Sequence, residues 1–348
     1  MNVRLSFRPR LLLPAASLAA LALVVTGCAS PSADAAPEAS ADAATIVVED
    51  ARPTLMQLEE GGETYFEEDT EIPREAVEVA AAPDAVVTFD IATLDTLDAI
   101  GAGDAVVGIP DIALPDYLSE YADLPKVGTL FEPDFEAVAG LEPDLIVTAA
   151  RSTGQYDALA EIATTIDLTG TYGGTFDPAA GLLRAAQLGE IFGAEETVEA
   201  ATARIEELES AIEDRVDATA LVLSVSGGEY GAFGEGSRFG YFFDTLGFTP
   251  AVPTLELPGA EASPHGDTVT NEFLLEANPD WIIAFDRGAA TGEGSSAAET
   301  LDNELVERTT AGAEDHIILL PASELYIVIN GLTAIENVLT TIDDALAA

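Results

Sequence analysis

Two stretches of this chain share one layout, and that repeat limits the fold more than any other feature. The first reads Glu136-Ala-Val-Ala-Gly-Leu-Glu-Pro-Asp-Leu-Ile-Val-Thr-Ala-Ala-Arg151, the second Glu272-Phe-Leu-Leu-Glu-Ala-Asn-Pro-Asp-Trp-Ile-Ile-Ala-Phe-Asp-Arg287. In each, a glutamate stands seven residues before a Pro-Asp pair and an arginine eight residues after its proline. Proline cannot continue a helix and Pro-Asp favours a turn. Each unit is therefore expected to be a short amphipathic helix, a turn and a buried strand (145–150 and 281–285), with the arginine just past the strand's C-terminal end. A helix that runs back against its following strand brings its N-terminus to the sheet edge where α/β proteins bind ligands. Each unit should thus turn one arginine (Arg151, Arg287) toward a crevice and hold one glutamate (Glu136, Glu272) near the rim.

The surrounding sequence repeats the α/β alternation. Short apolar strands are predicted at 86–89, 106–109 and 165–168, with helices at 94–100 and 156–163, a pattern of parallel sheets. Helices are predicted at 177–192 and 195–216, the second long and dense in Glu and Arg at helical spacings. Strands at 221–225 and 317–320 and a helix at 333–346 complete the chain. The expected fold class is α/β: two parallel-sheet lobes, 46–192 and 218–348, joined by one long helix at 193–217, with a ligand cleft between them.

The first residues read as an address. Arg4, Arg8 and Arg10 precede an apolar run from Leu11 to Val25, which is shorter than the roughly twenty residues of a spanning helix. The run stops at Val25-Thr-Gly-Cys28, the form of a lipoprotein signal, 1–27, with Cys28 as the lipidation site. Cys28 is the chain's single cysteine, so neither a disulfide nor a cysteine metal site competes for it. Residues 28–45, rich in Ala, Ser, Pro and Asp, read as a disordered tether. The expected location is the cell surface, with the chain anchored by lipid to the outer face of the membrane.

The chain has 63 acidic against 13 basic residues, a net charge of −50. With the leader removed, 10 basic residues face all 63 acids, leaving −53. Nucleic acid is a poor partner for such a surface. Only nine arginines and Lys126 follow Cys28, so an arginine in a cleft carries information here.

Several motifs occur together in order: Val86-Val-Thr-Phe-Asp-Ile-Ala-Thr-Leu-Asp-Thr-Leu-Asp-Ala-Ile-Gly101, Val127-Gly-Thr-Leu-Phe-Glu-Pro-Asp-Phe-Glu136, Phe233-Gly-Glu-Gly-Ser-Arg-Phe-Gly240 and Leu301-Asp-Asn-Glu-Leu305. From about Pro83 onward the chain resembles the siderophore-binding lipoproteins of iron ABC importers, in the subgroup that takes catecholate and mixed catecholate-citrate siderophores such as petrobactin. The resemblance implies two lobes on one rigid helix, working as a monomer with no cofactor, with a ferric siderophore as ligand and an ABC permease dimer as partner. It implies that Arg151, Arg238 and Arg287 meet the anionic catecholate oxygens through charged, forked hydrogen bonds. It also implies that Glu136 and Glu272 dock on the permease. His265 falls where the subgroup carries a histidine that can ligate iron when the siderophore leaves coordination sites open, with Tyr326 as its companion. Around Tyr326 the usual aromatic run is missing and the tyrosine stands one place out of register, so a core position is equally open to it. His316 begins a strand and has no expected site role.

Rival readings keep the scaffold and change the cargo to haem, a corrinoid or a hydroxamate siderophore, or make the chain a hydrolase or an adhesin. Hydrolase motifs such as Gly-x-Ser-x-Gly and His-Glu-x-x-His are absent from the sequence. With two histidines in all, direct capture of zinc or manganese lacks ligands.

Overall fold

The architecture is that of a computed structural model, which describes residues 44–50, 55–60, 63–68, 75–170, 175–253, 266–291 and 296–348. Cys28 and His265 lie outside the described residues. The first sheet has four parallel strands in the order Val106–Gly108, Val86–Thr88, Leu145–Thr148, Thr165–Asp167. In the second sheet Thr219–Ser226 lies between Trp281–Asp286, its parallel neighbour, and Glu229–Phe233, its antiparallel one. Ile317–Leu320 extends the parallel side and Asp267–Val269 the antiparallel side. The second lobe is thus mixed where an all-parallel sheet was expected. A hairpin through Gly227 and Gly228, at φ +60° and +81°, makes the difference, because two consecutive glycines permit the left-handed turn that matches strand twist.

The Pro-Asp repeat is a structural device as well as a sequence one. Its helices are Phe135–Gly140 and Asn271–Ala277. In both copies the residue before the proline is left-handed, Glu142 at φ +48° and Asn278 at φ +45°. The aspartate then grips the start of the neighbouring parallel strand. Asp144 Oδ2 accepts from the backbone N–H groups of Asp84 and Ala85, at 3.2 and 3.1 Å. Asp280 Oδ2 accepts from the Thr219 N–H at 2.9 Å and its hydroxyl at 2.7 Å, bonds that hold the Asp280 carboxyl below its ordinary range. Each aspartate sits one residue ahead of a cross-strand pair, Leu145 with Val86 and Trp281 with Ala220, so the same contact sets register in both sheets.

Between the sheets in sequence runs the 19-residue helix Glu195–Glu213, which buries Val198, Ala201, Ile205 and Ile212. It packs on Pro178–Phe192 and on the last helix, Leu332–Ala347. Arg204 reaches Glu336 with two nitrogens, and Arg215 pairs with Asp343. The last helix also returns to Ile91–Ala99 of the first lobe, so one apolar cluster runs from Val86 through Ile205 to Phe285 and Ile342.

That return is organised by a buried carboxyl. Asp95, on Ile91–Ala99, accepts from the Thr333 and Ala334 N–H groups at 2.9 and 3.2 Å and from the Tyr117 hydroxyl at 2.6 Å. It caps the last helix from another element. Gly331 leaves room for it, since a Cβ there would run into the carboxyl. Burial pushes Asp95 up to about 7 against the pull of these bonds. Glu324 is likewise raised to about 7 by burial, with a hydrogen bond from Asn337 opposing and the nearby Asp95 charge adding. Folded, both groups keep their protons toward neutrality, whereas unfolded they release them near about pH 4. The stability they contribute is complete below about pH 4 and is lost as pH rises through about 7. Glu324→Gln removes one of the two. The melting temperatures of parent and variant should run parallel below about pH 4, and the parent should fall relative to the variant from about pH 5 to 8. Parallel curves throughout would refute proton binding at Glu324.

Candidate functional site

A cavity of about 430 Å³ opens where the C-terminal end of the Leu145–Thr148 strand meets the turn Glu324–Val328. Ala150, directly after that strand, is left-handed at φ +44°, and its N–H donates to Thr169 Oγ1 at 2.6 Å. The chain then enters a short 3-10 helix, Ala150–Gln155, whose second residue is Arg151. The Arg151 Nη2 donates to the Tyr326 carbonyl at 2.8 Å and Nη1 to the Ile327 carbonyl at 3.4 Å. Glu324–Val328 is a π-helical turn, followed by Ile329 at φ +46° and Asn330 at φ +62°. A left-handed β-branched residue is costly, and such strain gathers at functional segments.

Three arginines and Asp90 supply the charged groups among the described residues that line the cavity: Arg151, Arg184 and Arg238. Arg238 lies with its Cζ 5.0 Å from the Phe239 ring centroid and 5.5 Å from that of Tyr326, both within cation–π range. Burial lowers the Arg238 pKa, with the Tyr326 side chain opposing and Arg151 adding. Burial also lowers that of Arg151, with Asp90 and Tyr326 opposing. Guanidinium ionises so high that both stay charged. Two cations held this close in partial burial attract an anion.

Arg184 was absent from the sequence-based candidates. It is 7% exposed, on Pro178–Phe192, and donates from Nε to the Leu168 carbonyl and from Nη1 to that of Asn330, each at 3.2 Å. Its Nε lies 3.6 Å from Asp90 Oδ2. Asp90 is held in turn as the N-cap of Ile91–Ala99, accepting from the Thr93 N–H at 2.9 Å. A signal existed in the sequence: Arg184 shares its helical face with Gly181, Ala185 and Leu188, all buried.

The other candidates divide. Tyr326 is half-buried, touches the core and lines the cavity. Arg287 directly follows the strand Trp281–Asp286, as the repeat predicts. It opens the helix Arg287–Thr291, which packs on Thr219–Ser226 and on the π-helical turn, and it is not among the described residues lining the cavity. Its backbone continues the strand's end without the left-handed step that redirects Arg151 at Ala150. Glu136 and Glu272 are both exposed, each in the first turn of its helix. His316 stacks on Trp281 at 4.1 Å, and its Nδ1 lies 3.2 Å from the Asp280 carbonyl.

Residues 86–324 match the family model described as periplasmic binding protein. The chain belongs to this family. It is 33% identical over 313 residues to the petrobactin-binding protein YclQ of Bacillus subtilis, covering 87% of this chain and 96% of that protein. The crystal structure of YclQ superposes with a TM-score of 0.71 at 31% identity, covering 85% of this chain and 99% of that one. A TroA-like periplasmic binding protein from Xylanimonas cellulosilytica gives a TM-score of 0.71 at 34% identity, over 88% of this chain and 99% of that one. The catecholate-siderophore binding protein VctP from Vibrio cholerae gives 0.67 at 30%, over 77% and 96%. As a member of the family the chain is a substrate-binding transport protein rather than an enzyme. No helix among the described residues is long and apolar enough to cross a membrane.

Arg184 carries the most structure per side chain here. Arg184→Ala takes the guanidinium donor from the Leu168 and Asn330 carbonyls and the ion-pair partner from Asp90, and should cost about 3–5 kcal/mol in urea unfolding. Arg204→Ala, which breaks an exposed pair, should cost below about 1 kcal/mol. Equal costs would refute the structural role of the Arg184 bonds to Leu168 and Asn330.

Proposed function

We propose that this chain is the extracellular substrate-binding lipoprotein of an iron ABC importer, capturing a ferric siderophore and delivering it to the permease. The observation that carries the reading is the convergence of Arg151, Arg184 and Arg238 on one cavity in a chain of net charge −50. Cations so placed against the overall charge select an anionic cargo by contact, since the field of the body is screened within about 8 Å at physiological salt while buried contacts are not. A ferric catecholate, anionic and rich in oxygen acceptors, is the cargo class that fits. Relatives that carry petrobactin and catecholate siderophores in their names point the same way.

In this reading Arg151 and Arg238 bind the ligand oxygens, with Arg287 as an outer partner. Tyr326 and, from the sequence alone, His265 are the groups that would enter the iron shell of a siderophore leaving sites open. Cys28 carries the lipid that holds the protein at the outer face of the membrane, and the protein works as a monomer. Glu136 and Glu272, exposed and placed alike in the two repeat units, contact basic residues of the permease dimer.

Two measurements test this. In fluorescence titrations against ferric siderophores, ferric citrate and haem, the parent should prefer ferric catecholates. Arg151→Gln and Arg238→Gln should each weaken that binding by about 2–5 kcal/mol, and Arg287→Gln by less. Preference for haem, or Gln variants that bind like the parent, would overturn the assignment. In cells, Glu136→Ala with Glu272→Ala should abolish uptake while the purified double variant keeps its affinity within a few-fold. Loss of affinity would place these glutamates at the ligand instead.

A further inference from the structure

Five large apolar side chains are exposed among the described residues: Val47, Phe131, Phe135, Leu183 and Leu319. Only Phe131, at 59% exposure, also lines the arginine cavity. A single exposed apolar residue is ordinary on a surface. What sets this one apart is the rigidity of its support and the place to which it is carried.

Phe131 sits in a turn tied by five hydrogen bonds to its backbone. The Thr129 N–H donates to the Glu132 carbonyl at 2.9 Å, and Thr129 Oγ1 accepts from the N–H groups of Phe131 and Glu132 at 3.3 and 3.0 Å. The ends are tied by Asp111 N–H to the Gly128 carbonyl at 2.7 Å and Asp134 N–H to the Val127 carbonyl at 2.8 Å. Gly128, at φ +104°, permits the reversal, and a Cβ there would run into the Glu132 carbonyl and the Asp134 nitrogen. The backbone that carries the ring to the cavity is therefore fixed in advance, so little main-chain ordering is needed when the ring meets a ligand.

We propose that Phe131 is a specificity-determining residue that meets the face of an aromatic ring of the bound chelate at the mouth of the cavity. The proposal rests on the catecholate reading and adds to it. A catecholate has its anionic oxygens along one edge of the ring. When that edge faces iron and the guanidinium groups of Arg151 and Arg238, the ring faces remain uncovered, and aromatic pairs in offset or edge-to-face arrangements gain beyond simple area burial. Charge would thus be read at the floor of the cavity and aromaticity at its mouth, by a residue with no charge of its own.

The test separates a ring contact from general apolar contact. Phe131→Leu keeps apolar bulk without a ring, and Phe131→Trp keeps a ring. Purified parent and variants are titrated with ferric petrobactin, which carries catechol rings, and with ring-free ferric citrate, after melting curves confirm that they fold alike. Phe131→Leu should weaken ferric petrobactin by about three- to tenfold. Phe131→Trp should stay within about twofold of the parent, and any affinity for ferric citrate should be unchanged in both. If the parent binds ferric petrobactin and Phe131→Leu binds it equally well, or loses both chelates by the same factor, the ring contact is wrong and the catecholate reading stands. If the parent binds ferric citrate alone, the catecholate reading falls and takes the ring contact with it.

Discussion

The cavity wall from Glu324 to Asn330 cannot satisfy its own backbone, and guanidinium groups of Arg151 and Arg184, from elements of the first lobe, do it instead. A π-helical turn followed by two left-handed residues breaks the regular ladder, leaving the carbonyls of Tyr326, Ile327 and Asn330 turned outward. Buried carbonyls need donors. Arg151 supplies the first two and Arg184 the third. The same bonds join elements of the first lobe to the C-terminal segment, so the floor of the cavity and the joint between the lobes are one construction.

This construction accounts for how positive charge survives inside so acidic a chain. Arg151 donates to main-chain carbonyls and Arg238 lies against two aromatic rings, contacts that do not cancel their charge. Arg184 has the Asp90 carboxylate 3.6 Å from its Nε, and Asp90 is itself committed to capping a helix. Behind the wall, Asp95 and Glu324 are raised to about 7 and stay largely protonated below neutrality. They add little negative charge to the back of the cavity in mildly acidic surroundings.

Much of the fold was legible in the sequence because the Pro-Asp repeat joins two separate signals. Proline ended the helices, and the apolar runs after it became the central strands, Leu145–Thr148 and Trp281–Asp286. The long helix Glu195–Glu213 and the last helix, Leu332–Ala347, also stood close to where periodicity put them. The antiparallel side of the second sheet was less visible: Glu229–Phe233 contains Gly231 and Asp267–Val269 is only three residues long, so neither has a strong alternation of its own. Their pairing is decided by Gly227 and Gly228 and by the strand they fold back upon.

The site divides in the same way. Sequence alone determined that Arg151 follows a buried strand, that Arg238 lies in a Gly-rich stretch, and that cations are scarce enough for such placements to matter, because these follow from local pattern and composition. Only the tertiary structure decided that Arg184 joins them while Arg287 stands outside the described lining. It also decided that Tyr326 faces a cavity and that Asp95 in the first lobe caps a helix near residue 333. Those outcomes depend on the dihedral angles of Ala150, Ile329 and Asn330 and on contacts between residues more than a hundred positions apart, and no local sequence pattern encodes either.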